Sequence, residues 1–149
     1  MDGPVISPFS VTEHDRWREL FRAYNDFYGA QLTDDVYLAT WERLITGSGP
    51  HFGLAARNRA GHAIGLAHYL FHGSTWSTED VCYLEDLFVD PAARSGGYGR
   101  ALIQGVAAAA RAHGSKRLYW LTQENNAAAR HLYDAVATLS GFIRYDVRL

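Results

Sequence analysis

The stretch Asp86-Leu87-Phe88-Val89-Asp90-Pro91-Ala92-Ala93-Arg94-Ser95-Gly96-Gly97-Tyr98-Gly99-Arg100-Ala101-Leu102 decides how this sequence is read. An apolar run stops at Asp90-Pro91, glycine fills three of the four positions 96–99, and helix formers follow. Glycines let the chain bend so that successive N–H groups point at one spot, and the helix behind them adds its positive end. The pattern therefore predicts a strand, an anion-binding turn and a helix, with Arg94 and Arg100 as added cations. The bland alternative is a tight turn with exposed arginines. A P-loop is excluded because no Gly-Lys-Ser/Thr follows. A dinucleotide fingerprint fails as well: Leu102 stands where the third glycine belongs, and Arg117 occupies the place of the distal acid.

Outward from this turn, the elements fall into an α/β (α+β) order. Toward the N-terminus, Val81–Val89 reads as a long strand, preceded by strands His51–Arg57 and His62–Phe71 around the hairpin signal Asn58-Arg59-Ala60-Gly61. Before these lie a helix capped by Thr12, with Trp17, Leu20, Phe21, Tyr24 and Tyr28 as its apolar stripe, and a second from Thr33 to Leu44. A short extended start covers Pro4–Phe9. Toward the C-terminus come a helix Gly99–His113 stopped by Gly114, a strand Arg117–Thr122, a helix from Asn126 to Ala137 and a last strand Phe142–Arg148. Antiparallel strands come first, and a parallel strand–helix–strand unit follows.

Composition bounds the function. The chain has 149 residues, 48% hydrophobic and 20% charged, which is enough for one domain over 1–149 with a core of its own. A net charge of −2 argues against nucleic acid as the main partner. The lone cysteine, Cys82, rules out an intrachain disulfide and fits the cytoplasm, as a small core residue. No apolar run approaches the roughly 18 residues of a membrane span, and the start Met1-Asp2-Gly3-Pro4 shows no leader. The charge is split: residues 1–90 hold 13 acids and 6 bases, residues 91–149 hold 3 acids and 8 bases. Such a split points either to two differently charged partners or to chance surface composition.

At this point the sequence resembles the GCN5-related N-acetyltransferase (GNAT) superfamily. Its signature Gln/Arg-x-x-Gly-x-Gly/Ala is met by Arg94, Gly97 and Gly99, and its Asn-x-x-Ala-x-x-Leu-Tyr element by Asn126, Ala129, Leu132 and Tyr133. The segment Tyr83-Leu84-Glu85-Asp86-Leu87-Phe88-Val89 resembles the corresponding strand of spermidine/spermine and related small-amine acetyltransferases, and Tyr119-Trp120 with Asn126 and Tyr133 is similar to the histone/polyamine branch. Two departures stand out: Ser95 where many members have glycine, and eight residues from Tyr133 to Gly141 where many have about four. The resemblance implies a mixed, mostly antiparallel sheet of about six to seven strands flanked by about four helices. It further implies acetyl-CoA as donor, an amine as acceptor and a homodimer in which the last strand pairs or exchanges.

The resemblance also implies the site. The backbone of Leu87, Phe88 and Val89 would hold the pantetheine arm, and Ser95, Gly96, Gly97, Tyr98, Gly99 and Arg100, with Arg94, the pyrophosphate. Asn126 would bond the same cosubstrate. An amine of pKa near 10.4 arrives protonated, so Glu85 is the expected proton acceptor. Asp86 would face the opposite side of a regular strand. Both carboxylates could also be structural strand-end charges. Tyr133, seven residues after Asn126 on one helix face, is the expected proton donor to the thiolate, although a helical tyrosine alone is more often core. Asp34, Tyr37 and Trp41, together with Asp86, are the expected acceptor-binding residues, with core burial the alternative for the two aromatics; with Asp35, Glu79 and Asp80 they would form an acidic, aromatic mouth for a cationic amine.

The seven histidines do not make a metal centre. His62, His68 and His72 share strand parity, but neighbours stand about 20 and 13 Å apart; His68 alone is expected near the cleft. A Gly-x-Ser-x-Gly elbow is absent. The leading reading is direct acetyl transfer to a small amine or polyamine in a ternary complex. A protein lysine or N-terminus is the nearest alternative acceptor, and a non-catalytic acyl-CoA-binding module or a nucleotide-binding regulatory domain the rivals from other classes.

Overall fold

In a computed structural model, residues 3–149 are described. Met1 and Asp2, the first residues of the start on which the expectation about a leader rests, lie outside them. Five strands form one sheet in the order β1-β2-β3-β4-β5: β1 Val5–Ser7, β2 His51–Arg57, β3 Ala63–His72, β4 Val81–Val89 and β5 Leu118–Trp120. All neighbours are antiparallel except β4 and β5, which run parallel. Four helices cover the sheet: α1 His14–Phe27, α2 Asp34–Thr46, α3 Tyr98–His113 and α4 Ala127–Val136.

The helices divide between the two faces, which explains why β3 is buried from Ala63 through Tyr69 with no polar alternation. On one face, α3 sends Leu102, Ile103, Val106 and Ala110 onto Leu54, Ile64, Tyr69, Cys82 and Leu84, and Leu132, Tyr133 and Val136 of α4 pack beside them. On the other, α1 and α2 build an aromatic core from Trp17, Phe21, Tyr37 and Trp41 over Ala55, Leu66 and Phe88. Trp17, fully buried, is its centre, with rings of Phe21, Tyr37 and Trp41 all within 6.3 Å. Truncating such a residue costs about 3–5 kcal/mol.

The sheet stops at five strands. Residues 137–149 contain no regular element, and the expected strand Phe142–Arg148 is not formed within the chain. A strand cannot satisfy its own backbone groups and needs a neighbour, and the eight residues from Tyr133 to Gly141 do not return this segment to β5. Its apolar side chains remain in solvent: Phe142, Ile143, Tyr145, Val147 and Leu149 are each at least 78% exposed. Among the described residues no helix is long and apolar enough to cross a membrane.

The two-sided charge pattern is partly consumed inside the fold. Asp90 pairs with Arg16 at 2.9 Å, Glu13 with Arg57, Glu79 with Lys116 at 3.2 Å and Asp80 with His113 at 3.0 Å. Glu79 and Asp80 therefore lie against the C-terminal end of α3 and do not form an acceptor mouth.

Candidate active site

A β-bulge makes the site. Along the β3–β4 ladder His68 faces Asp86 and the next pair is Tyr69 with Leu84, so Glu85 is the extra residue of β4. Leu84 and Leu87 both pack on the α3 face, and the two carboxylates between them come out together on the other. Glu85 Oε2 lies 3.4 Å from Nε2 of His51, and Asp86 Oδ2 lies 2.9 Å from Nδ1 of His68. His68 pairs with Gly53 across β2, so His51, two residues earlier, shares its face. The expectation that Asp86 points away from Glu85 required a regular strand and is corrected by the bulge. Their exposure separates them: the Glu85 side chain is 42% exposed and that of Asp86 15%.

On the other edge of β4 the sheet opens. β4 and β5 pair only over Cys82–Leu84 and Leu118–Trp120. Past this point the two parallel strands part, and a small cavity of about 10 Å³ remains between them, room for a single water. Its walls are Tyr24 of α1 and Tyr28 just past its end, Leu84, Glu85 and Leu87 of β4, Trp120 at the end of β5 and Leu121 after it, and Tyr133 of α4. Glu85, Leu87 and Tyr133 are thus brought into one cleft.

Tyr133 is held against Trp120, ring centroids 5.4 Å apart and steeply inclined. Burial, with Tyr28 nearby, pushes its phenol up to about 12, so it carries its proton at any working pH. Gly99 fixes how near α4 comes: a Cβ there would sit 3.2 Å from Cδ2 of Leu132, the neighbour of Tyr133. Asn126 is the residue before α4, and its Nδ2 donates to Oγ1 of Thr122 at 3.3 Å; it does not line the cleft.

At the far end of β4 the anion turn has the backbone its sequence predicts. Asp90 caps the 3-10 turn Pro91–Ala93 by accepting from Ala92 N at 3.0 Å, and Arg16 secures Asp90 from α1. These donors, the Ala92 amide first, hold the Asp90 carboxyl below its usual range. Ser95 takes φ +73°, the only non-glycine at positive φ among the described residues, and Gly97 takes +78° before α3 begins at Tyr98. No side chain caps α3, and Ala101 N is bonded to Gly97 O at 3.0 Å, so the amides of Tyr98, Gly99 and Arg100 have no fourth-neighbour carbonyl inside the helix. Phosphate oxygens fit such a cradle. Arg94 is turned back, Nε to Val89 O at 3.3 Å with its guanidinium 6.0 Å from the Phe88 ring centroid. Phe88 itself is core, so only its backbone can meet a ligand.

Three of the expected acceptor residues lie elsewhere. Tyr37 and Trp41 are 4% and 8% exposed, inside the aromatic core, and Tyr37 Oη accepts from Asn25 Nδ2 at 3.2 Å. They are core because α2 lays this stripe on Trp17. Asp34 is exposed at the start of α2, tied to Arg18, whose guanidinium lies 4.7 Å over Tyr37. Conversely, Tyr24 and Tyr28, expected in the α1 core stripe, and Trp120 line the cleft; the i, i+4 spacing of the two tyrosines is the one signal for this in the sequence. Among the described residues no group of three or more His, Cys, Asp or Glu could hold a metal. Cys82 is fully buried, and burial pushes its thiol up to about 11.

Splayed parallel strands beside a bulged carboxylate, an uncapped glycine-led helix and a helical tyrosine over the opening can be compared with known proteins. The acetyltransferase (GNAT) family profile matches residues 17–137. The chain belongs to that family. It is 34% identical over 145 residues to the D-amino-acid N-acetyltransferase HPA3 of Saccharomyces cerevisiae, covering 97% of this chain and 90% of the relative. It is 30% identical over 146 residues to the uncharacterized N-acetyltransferase YhfO of Bacillus subtilis, covering 97% and 89%. The same fold is seen in AAC(6')-Iy, solved with the bisubstrate analog CoA-S-monomethyl-acetylneamine, at TM-score 0.84 and 20% identity over 99% of each chain. This GNAT chain is therefore an acetyltransferase, of a family that uses acetyl-CoA.

Proposed function

We propose that residues 1–149 form one N-acetyltransferase domain that moves the acetyl group of acetyl-CoA to a small cationic amine or polyamine by direct attack. The observation that carries this reading is that Glu85 and Tyr133 line one cleft from opposite sides. The backbone of Ser95–Arg100, with Arg94, cradles the pyrophosphate, the free edge of β4 at Leu87, Phe88 and Val89 pairs with the pantetheine arm, and Asn126 bonds the cosubstrate from the start of α4. Glu85, exposed and beside His51, accepts the ammonium proton directly or through one water. The freed amine forms the N–C bond at the thioester carbonyl. The C–S bond then breaks, the Tyr133 hydroxyl passes its proton to the leaving sulfur, and the second proton shed by the acylated nitrogen restores the Tyr133 hydroxyl, leaving a neutral amide and CoA thiol; the donor role suits a phenol kept protonated by burial. Asp86 supplies the charge that receives the cationic acceptor.

An amino acid is the second acceptor supported, because HPA3 is named for D-amino acids and the reactive group is again an ammonium. Protein lysines and N-termini come third. The test is thiol release from acetyl-CoA over a panel of polyamines, D- and L-amino acids, an aminoglycoside and a lysine peptide. Saturable release with at least one amine supports the enzyme. CoA binding without release from any amine overturns it in favour of an acyl-CoA-binding module.

We further propose a homodimer, in the cytoplasm where the lone, disulfide-free Cys82 fits. Beside β5 an open groove of about 630 Å³ is lined by Trp76, Tyr119, Leu121, Leu139 and Phe142. The segment Phe142–Arg148 of a second copy, alternating apolar and charged, is the strand that suits this edge. Light scattering of the full chain should give twice the chain mass, and the monomer mass after deletion of 141–149.

A further inference from the structure

Below the cleft, on the α1 face, lies a polar chain of which the transfer reading uses only the last member, Asp86. Nε1 of Trp17 donates to Nε2 of His68 at 2.9 Å, and Nδ1 of His68 meets Oδ2 of Asp86 at 2.9 Å. Trp17 is 0% and His68 2% exposed. An indole N–H can only donate. Nε2 must therefore be the acceptor, and the ring hydrogen sits on Nδ1, directed at Asp86. A second hydrogen on Nε2 would face the indole N–H donor to donor at 2.9 Å, too close for anything to stand between them.

We propose that Trp17 and His68 are positioning residues that hold Asp86 as a fixed, unneutralised anion for the ammonium of the acceptor. The inference rests on the acetyl-transfer reading and adds to it the device that orders the acceptor. Among the described residues, the only basic side chain paired with Asp86 is His68, whose fixed tautomer offers a hydrogen bond without a full positive charge. A carboxylate only 15% exposed and bonded to neutral groups is incomplete. A cation arriving from the cleft completes it. The cleft side is Tyr24, whose hydroxyl lies 3.5 Å from the Glu85 carbonyl and whose phenol is pushed up by burial and by the adjacent Asp86. The other sides of His68 carry no competing charge: Phe21 meets it edge-on at 4.7 Å, Gly53 is its partner on β2, and Tyr37 lies beyond Trp17 and Phe21. Glu85 and His51 lie nearest on the same face, paired with each other. The bulge thus assigns consecutive carboxylates separate work, the exposed one moving a proton and the buried one holding a charge.

The experiment compares His68→Leu, His68→Gln and Trp17→Phe with the parent chain, using the best amine of the panel and hydroxylamine as an uncharged acceptor. In glutamine the amide oxygen and nitrogen share one carbon as the two ring nitrogens do, so it can accept from Trp17 and donate to Asp86. His68→Leu should raise KM for the cationic amine by about 10–100-fold, the worth of a hydrogen bond to a charged group. The KM for acetyl-CoA and kcat/KM for hydroxylamine should stay within about threefold. His68→Gln should restore KM for the amine to within about threefold, and Trp17→Phe, which frees the ring to turn, should fall between. Circular dichroism and CoA affinity verify that each variant is folded. Equal KM values in the Leu and Gln variants, or parallel losses with both acceptors, overturn the inference. Absence of transfer by the parent chain would instead strike the acetyl-transfer reading itself. Should His68→Leu fail to fold, Trp17→Phe decides: a KM for the cationic amine within about threefold of the parent overturns the inference, and a larger rise with hydroxylamine unaffected supports it.

Discussion

On the α1 side of the cleft the polar groups are held by side chains: Asp86 by His68, His68 by Trp17, and Glu85 by its place at the bulge beside His51. On the α3 side the groups offered to a ligand are mostly backbone amides, held by the φ angles of Ser95 and Gly97 and by the missing cap of α3. The side chains proposed to act from that direction are few: Tyr133, Asn126 and Arg94. A wall of side chains distinguishes one acceptor from another because each atom can be changed alone. A wall of amides treats every phosphate alike and depends on conformation. The first should respond to chemical substitutions and to pH, and the second to backbone changes.

The sharpest break comes at Tyr133. Tyr133→Phe should lower kcat by about 10²–10³-fold with CoA affinity unchanged, read by steady-state rates and calorimetry; an unchanged kcat removes the proton donor. Because its phenol sits at about 12, kcat of the parent chain should show no loss from this group up to about pH 10. Glu85→Gln should cost about 10²-fold in kcat/KM at pH 7 and recover as the pH approaches the amine's own value near 10.4, where free amine no longer needs a base. Failure to recover would give Glu85 a role other than proton removal. On the amide wall, Gly97→Val places a branched side chain at φ +78° and costs about 1–2 kcal/mol, a five- to thirtyfold loss in CoA affinity. Arg94→Ala should weaken CoA only about two- to fivefold, an effect that fades in 0.5 M salt because the exposed guanidinium is screened. The smallest change is a gain. Ser95→Gly relieves a left-handed serine and should raise Tm by about 2 °C at unchanged kcat. A loss of CoA affinity in Arg94→Ala larger than in Gly97→Val would reverse the contrast between the walls.

Strand and helix order was legible because each element carried its own periodicity and stops: β2 and β4 begin and end where the alternation and the glycines put them. The glycine turn was legible for the same local reason. The bulge was not, since Glu85-Asp86 reads identically in a regular strand, and one unpaired residue is a property of the ladder with β3. Tyr37 and Trp41 misled because an i, i+4 aromatic pair marks a face without saying what covers it. Trp17 and His68 stand 51 positions apart, so no window of sequence could join them. The last strand had the right alternation, and alternation alone cannot supply the neighbour that a strand requires.

That final segment carries its own safeguard. Between the wet side chains of Ile143, Tyr145, Val147 and Leu149 stand Arg144, Asp146 and Arg148. Unpaired extended segments rich in apolar residues tend to stack into fibres, copy on copy, about 4.8 Å apart. In-register stacking here would set Arg144 on Arg144 and Asp146 on Asp146, and like charges directly opposite repel. In the proposed dimer the same seven residues would join one foreign edge and still resist endless growth with their own kind.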